Sequence, residues 1–213
     1  MADPFDTFGV MPAFDIDLGA LEQRYRDLSR VLHPDRHVGE PASERRMALG
    51  RAVEVNEAWR VLRDPLTRAE ALLRRLGLDP RAAGGDKAAP AFLMDMMEQR
   101  EALSDARRSG DATRVARLAA EIARKQDEAM AKLSGLFQQL PPIGAPPPDA
   151  AASRGAAVPP PDTAASRGAA VPPPDTAGPP LGAALHMLGE LRYYRRFLDE
   201  VSAIDDEQAE ASL

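Results

Sequence analysis

Leu18-Gly-Ala-Leu21-Glu-Gln-Arg-Tyr25-Arg-Asp-Leu28-Ser-Arg-Val-Leu32-His33-Pro34-Asp35 is the stretch on which the reading of this chain depends. Leu18, Leu21, Tyr25, Leu28 and Leu32 recur at spacings of three and four, which predicts a helix with one apolar face. Pro34 disfavours helical backbone at His33, so the helix ends there and a polar loop follows to Ala42, punctuated by Gly39 and Pro41. From Ser43 a second long helix is expected, with Ala48, Ala52, Val55, Trp59 and Leu62 on one face and Trp59 in the core. The two helices predict an antiparallel hairpin with His33, Pro34 and Asp35 at its tip.

The flanks extend this pattern. Asp17 is a good N-cap for the first long helix, and Asp3–Phe8 predicts a short helix that adds Phe5 and Phe8 to the core. Asp64-Pro65 reads as a cap followed by the first helical position of another helix, with Leu66, Ala69, Leu73 and Leu76 facing inward and Gly77 ending it. Residues 78–89 read as a linker. Pro90 starts a helix containing Phe92, Leu93, Met94, Met96 and Met97. Ser109-Gly110-Asp111 breaks it, and a long helix runs to about Leu140 on the stripe Val115, Leu118, Ile122, Ala129, Leu133, Leu136 and Leu140.

Residues 141–180 differ in kind. Asp149–Pro161 and Asp162–Pro174 are near-copies of one thirteen-residue unit rich in proline and alanine, which predicts a disordered insert without a core of its own. A last helix is expected from about Leu181, with Met187, Leu191, Tyr194, Leu198 and Val201 inward, followed by an acidic tail over 205–213. The fold class is therefore all-α: a first domain at 1–77, a linker at 78–89, and a three-helix bundle over 90–204 interrupted by the insert.

Composition narrows the function classes. The 213 residues contain no cysteine, which excludes disulfides and thiolate metal sites and fits a reducing compartment. A net charge of −6 argues against a general nucleic-acid binder. No apolar run approaches a membrane span, and the first residues lack the basic and apolar regions of a signal peptide, so a cytoplasmic protein is expected. His33, Asp35 and His37 invite a metal or acid–base reading. The third histidine, His186, lies far away beyond the repeat, and no nucleophile, glycine-rich phosphate loop or carboxylate pair accompanies them. No catalytic residue, metal ligand or cofactor is therefore predicted.

Tyr25-Arg-Asp-Leu28-Ser-Arg-Val-Leu32-His33-Pro34-Asp35-Arg36 resembles the second helix and loop of a J-domain, and Asn56-Glu-Ala-Trp59-Arg-Val-Leu62-Arg-Asp64-Pro65 resembles its third helix and exit. Leu66-Thr-Arg-Ala-Glu-Ala-Leu-Leu73, with Ala91-Phe-Leu93-Met94-Asp-Met-Met97-Glu98-Gln-Arg-Glu101 and Leu191–Asp199, narrows this to the HscB-type co-chaperones of iron–sulfur cluster assembly. The resemblance implies a protein that is not an enzyme. It would stimulate the ATPase of a DnaK/HscA-type chaperone and deliver an IscU-type scaffold to it.

Carried onto this chain, His33, Pro34 and Asp35 form the trigger, with Arg24, Tyr25, Arg26 and Arg30 beside it for chaperone docking. Leu93, Met94, Met97, Glu98, Glu101 and Phe197 match the scaffold-binding surface. The chain departs from the family pattern in the insert, where relatives have a short connection. A J-domain adaptor for another client, or a self-associating bundle, stands as the alternative.

Overall fold

The computed structural model describes residues 2–80, 88–140, 143–144 and 178–211, the side chains of this last stretch over 180–204. Among the described residues all regular structure is helical. Two compact units divide the helices. The predicted linker residues 81–87 and almost all of the repeat-bearing insert lie outside the described residues.

The first unit holds α1 (Pro4–Phe8), α2 (Leu18–Val31), a short 3-10 turn (Pro34–His37), α3 (Ala42–Arg63) and α4 (Pro65–Arg75). Each start has a local cause. The Asp3 carboxylate accepts from the backbone N–H groups of Phe5 and Asp6, Asp17 from that of Ala20, and Asp64 from those of Leu66 and Thr67. Pro4 and Pro65 sit where the first turn needs no N–H donor. Gly77 ends α4 with φ 80°, a left-handed conformation that glycine adopts without strain, and the Leu78 N–H returns to the Leu73 carbonyl.

Phe5, Phe8, Leu62, Leu72 and Leu73 are the most completely buried large side chains here. Burial of Leu21 and Leu32 confirms the predicted face of α2, whereas Leu18 stays 43% exposed at its first turn. Two expectations change. Trp59 is only half-buried; it stacks on Tyr25 at the rim of the α2–α3 seam, and Ala58 takes the deep position.

α4 is buried over more than one face, because Arg68 is drawn in beside the leucines. The Arg68 guanidinium donates to the Leu62 carbonyl at 2.6 Å and lies 5.3 Å over the Phe14 ring. Burial lowers its pKa, against the pull of Asp15 and Asp64. Arg75 closes the end of α4 onto α1 through Asp3 at 2.9 Å and Asp6 at 3.0 Å.

The second unit holds α5 (Pro90–Arg108), α6 (Ala112–Gln138) and α7 (Gly178–Ala211). The break between α5 and α6 follows the expected chemistry. Gly110 takes φ 67°, and Asp111 caps α6 through the Arg114 N–H. So short a turn makes α5 and α6 antiparallel. Phe92 meets Tyr193 and Tyr194 near the start of α5, and Arg100 meets Glu200 further along both helices, so α5 and α7 run parallel.

The core stripe of α6 is Val115, Leu118, Ile122, Ala129, Leu133 and Phe137. Phe137, and not the expected Leu136, fills the last turn, while Leu140 is buried just beyond it. On α7 the buried stripe is Leu188, Leu191, Tyr194, Phe197, Val201 and Ile204. Met187 and Leu198, expected inside, are half-exposed. The helix begins three residues before the expected Leu181 and its backbone continues through the tail as far as Ala211.

Candidate chaperone-docking turn and bundle surface

The His33-Pro34-Asp35 tip is built by the end of one helix and held by its neighbour. α2 ends at Val31, where the Leu32 N–H still reaches the Leu28 carbonyl. His33 then turns extended and caps the 3-10 turn, its Nδ1 accepting from the Asp35 N–H at 3.3 Å. The Arg36 N–H closes the turn on the His33 carbonyl at 3.0 Å. Pro34 occupies the first position, where its fixed φ suits the turn and its missing N–H costs nothing.

The side chains of His33 and Asp35 remain 60% and 87% exposed. An exposed, rigid tip that spends few of its polar groups internally is suited to contact another molecule and not to support this one. Among the described residues no group of three or more histidine, aspartate or glutamate side chains is placed to hold a metal ion.

The charges predicted beside the tip do not form one set. Arg26 pairs with Glu22, and Arg30 with Asp27 at 3.1 Å, on the solvent face of α2. Arg24 is two residues from Arg26 and therefore on the opposite side of the helix. It lines a small apolar cleft with Met11, Ile16 and Leu21. Tyr25 faces α3. Its ring stacks on Trp59 with centroids 4.9 Å apart and planes at 10°, and its hydroxyl donates to Asn56 Oδ1 at 2.9 Å.

In the second unit, Met94 and Met97 are 64% and 70% exposed, Glu98 and Glu101 are exposed and Leu93 is half-buried. Met96, Leu103 and Ala106 turn inward from the same helix. Two apolar, flexible methionines in solvent beside two carboxylates form an adaptable contact surface. Phe197 has no part in it. Its side chain is 0% exposed in the bundle core, because it falls on the stripe of Leu188, Leu191 and Tyr194.

The aromatic on the last helix that does reach the surface is Tyr193, half-exposed and set edge-on to Phe92 at 5.8 Å. The predicted stripe through Leu191 and Tyr194 already turns Tyr193 away from the core, but only packing shows that it stands against Phe92 beside the patch. Below the patch, Lys125 bridges Asp95 at 3.1 Å and Glu121 at 3.3 Å. Burial pulls its pKa down, but the two carboxylates outweigh burial and raise it.

A helical hairpin tipped by an exposed His-Pro-Asp turn defines a J-domain, and joined to a separate helical bundle it defines a J-domain co-chaperone. Comparison with known families agrees. Residues 3–71 match the DnaJ domain, and residues 88–145 match the HSCB C-terminal oligomerisation domain. The chain is 41% identical over 135 residues to a co-chaperone protein HscB homolog of Bordetella avium, covering 63% of this chain and 79% of that protein. It is 45% identical over 107 residues to the homolog of Ralstonia nicotianae, covering 50% of this chain and 61% of that protein. The solved chaperone HscB from Vibrio cholerae shares the fold, with a TM-score of 0.69 at 23% identity over 97% of this chain and 99% of that one. The chain belongs to the HscB co-chaperone family.

Proposed function

We propose that this co-chaperone uses the His33-Pro34-Asp35 turn and the Arg26–Arg30 face of α2 to dock on a DnaK/HscA-type ATPase and stimulate its hydrolysis. On the bundle, Leu93, Met94, Met97, Glu98, Glu101 and Tyr193 hold an IscU-type iron–sulfur scaffold for delivery. The chemistry then takes place on the partner and this chain is not itself an enzyme. Residues 1–77 serve as the J-domain and 90–204 as the scaffold-binding bundle, joined at 78–89, in the cytoplasm. No described helix is long and apolar enough to cross a membrane.

The observation that carries the reading is the exposed, internally braced tip. Pro34 and the His33 cap remove the freedom that a docking loop would otherwise lose on binding, so contact there is less costly in entropy. The paired arginines offer positive charge to an acidic partner surface and raise the encounter rate.

The test uses the full chain with a purified DnaK-type chaperone and a purified scaffold. Asp35→Asn abolishes ATPase stimulation while the calorimetric binding heat for the scaffold survives. Unchanged stimulation by this variant refutes the trigger assignment. A second reading, in which the bundle self-associates, draws on the oligomerisation named for the family of residues 88–145. Sedimentation of the full chain separates the two: a concentration-dependent dimer with no scaffold heat favours self-association.

A further inference from the structure

His37 lies just past the trigger and is not explained by the docking surface. Its side chain is only 20% exposed. Nε2 faces the carbonyl of Val31, the last residue of α2, at 3.2 Å, and Nδ1 faces the Glu40 carboxylate. A carbonyl and a carboxylate can only accept. To satisfy both, both ring nitrogens must carry a proton, so the arrangement is built for the imidazolium.

The Glu40 N–H also returns to the His37 carbonyl at 3.1 Å, which keeps the two residues together at the exit of the loop. The ring thus ties the end of α2 to the exit of the loop, and the Pro34–His37 turn is held between these two anchors. Of the charges acting on it, Glu40 favours the cation and Arg36 opposes it. The hydrogen bond to Glu40 is the largest influence and raises the pKa above 6.5.

We propose that His37 is a positioning residue for the trigger: its imidazolium, clasped between the Val31 carbonyl and the Glu40 carboxylate, holds the His33-Pro34-Asp35 turn in the shape that docks. The inference rests on the docking reading above. It makes stimulation of the partner strongest when His37 is charged, with progressive loosening of the turn as the ring loses its second proton.

The experiment measures the concentration of full-length co-chaperone that gives half-maximal stimulation of a DnaK-type ATPase, from about pH 6 to about pH 8.5. His37→Gln, Glu40→Gln and Asp35→Asn are run beside the unaltered chain, which cancels the partner's own pH dependence. His37→Gln raises the half-maximal concentration about threefold at the acidic end, and the gap closes toward the alkaline end, where the unaltered chain has lost its cation. Glu40→Gln, which keeps an acceptor but removes the charge, moves the weakening to lower pH and covers the case of a poorly folding His37→Gln.

A gap that stays constant with pH, or no gap at any pH, overturns the clasp. If Asp35→Asn itself stimulates normally, the docking reading fails. If Asp35→Asn is inert and His37→Gln matches the unaltered chain throughout, only the clasp fails.

Discussion

The Tyr25 hydroxyl donates to Asn56 Oδ1 at 2.9 Å across the α2–α3 seam, and the same tyrosine ring lies flat on Trp59 one turn further along α3. One side chain therefore sets both the spacing and the register of the hairpin that presents the tip. An apolar stripe alone would tolerate sliding by a turn; a stack with a hydrogen bond at its edge does not.

Tyr25→Phe keeps the stack and loses the hydrogen bond, which at this exposed position costs about 0.5–1 kcal/mol in urea unfolding. Trp59→Ala removes the stack and part of the seam and costs about 2–3 kcal/mol. Equal losses for the two variants would show that the ring contact contributes little.

Arg26→Glu with Arg30→Glu replaces two exposed cations on α2 with like charges beside Glu22 and Asp27. Surface pairs of this kind stabilise little, so the melting temperature falls only slightly. The on-rate to a DnaK-type chaperone drops about tenfold or more at low salt in stopped-flow mixing, and the difference shrinks as salt is added. A salt-independent difference would mean that the charges do not steer the encounter.

Leu93→Ala with Met97→Ala weakens calorimetric binding to the scaffold by about tenfold or more and leaves ATPase stimulation by the J-domain intact. Tyr193→Ala weakens the same binding, whereas Phe197→Ala lowers bundle stability by about 3–5 kcal/mol through a core cavity. An intact fold with lost binding in Phe197→Ala would place Phe197 back at the surface.

Arg68→Ala leaves the Leu62 carbonyl without its 2.6 Å donor and removes the cation from the Phe14 ring, costing about 2–4 kcal/mol in thermal unfolding. Arg68→Met keeps the stem packing and recovers part of that loss. No difference between alanine and methionine would mean that packing of the stem contributes nothing.

His37 also links pH to stability. Its folded-state pKa is raised above the ordinary 6.5, chiefly by the hydrogen bond to Glu40. The stabilisation is therefore fully present below pH 6.5 and is lost as pH rises through the higher folded-state value. The melting-temperature difference between the unaltered chain and His37→Gln should shrink from mildly acidic to alkaline pH. A difference that grows with pH would reverse the assigned sign.

Much of this protein is determined by short-range chemistry and can be read without coordinates. Asp3, Asp17, Asp64 and Asp111 cap helices because a carboxylate satisfies the free N–H groups of a first turn wherever it stands. Pro34 ends α2 through its own ring, and the three-and-four spacing around Leu21 and Leu32 marks the buried face of α2.

Tertiary packing decided what periodicity leaves open. Phe197 turned inward in place of Leu198, and Phe137 in place of Leu136, because neighbouring apolar residues differ by only 100° and the partner helix selects between them. Arg68 is buried because a carbonyl and an aromatic ring wait for it across the unit. His37 meets Val31 and Glu40 only once the turn has folded. Sequence alone determined the His-Pro-Asp tip and the helices that carry it. The hydrogen bonds that brace that tip span six residues or fewer but form only when the turn takes its folded shape, whereas the choice of Phe197 and Phe137 over their neighbours depends on packing between helices, which a local pattern does not encode.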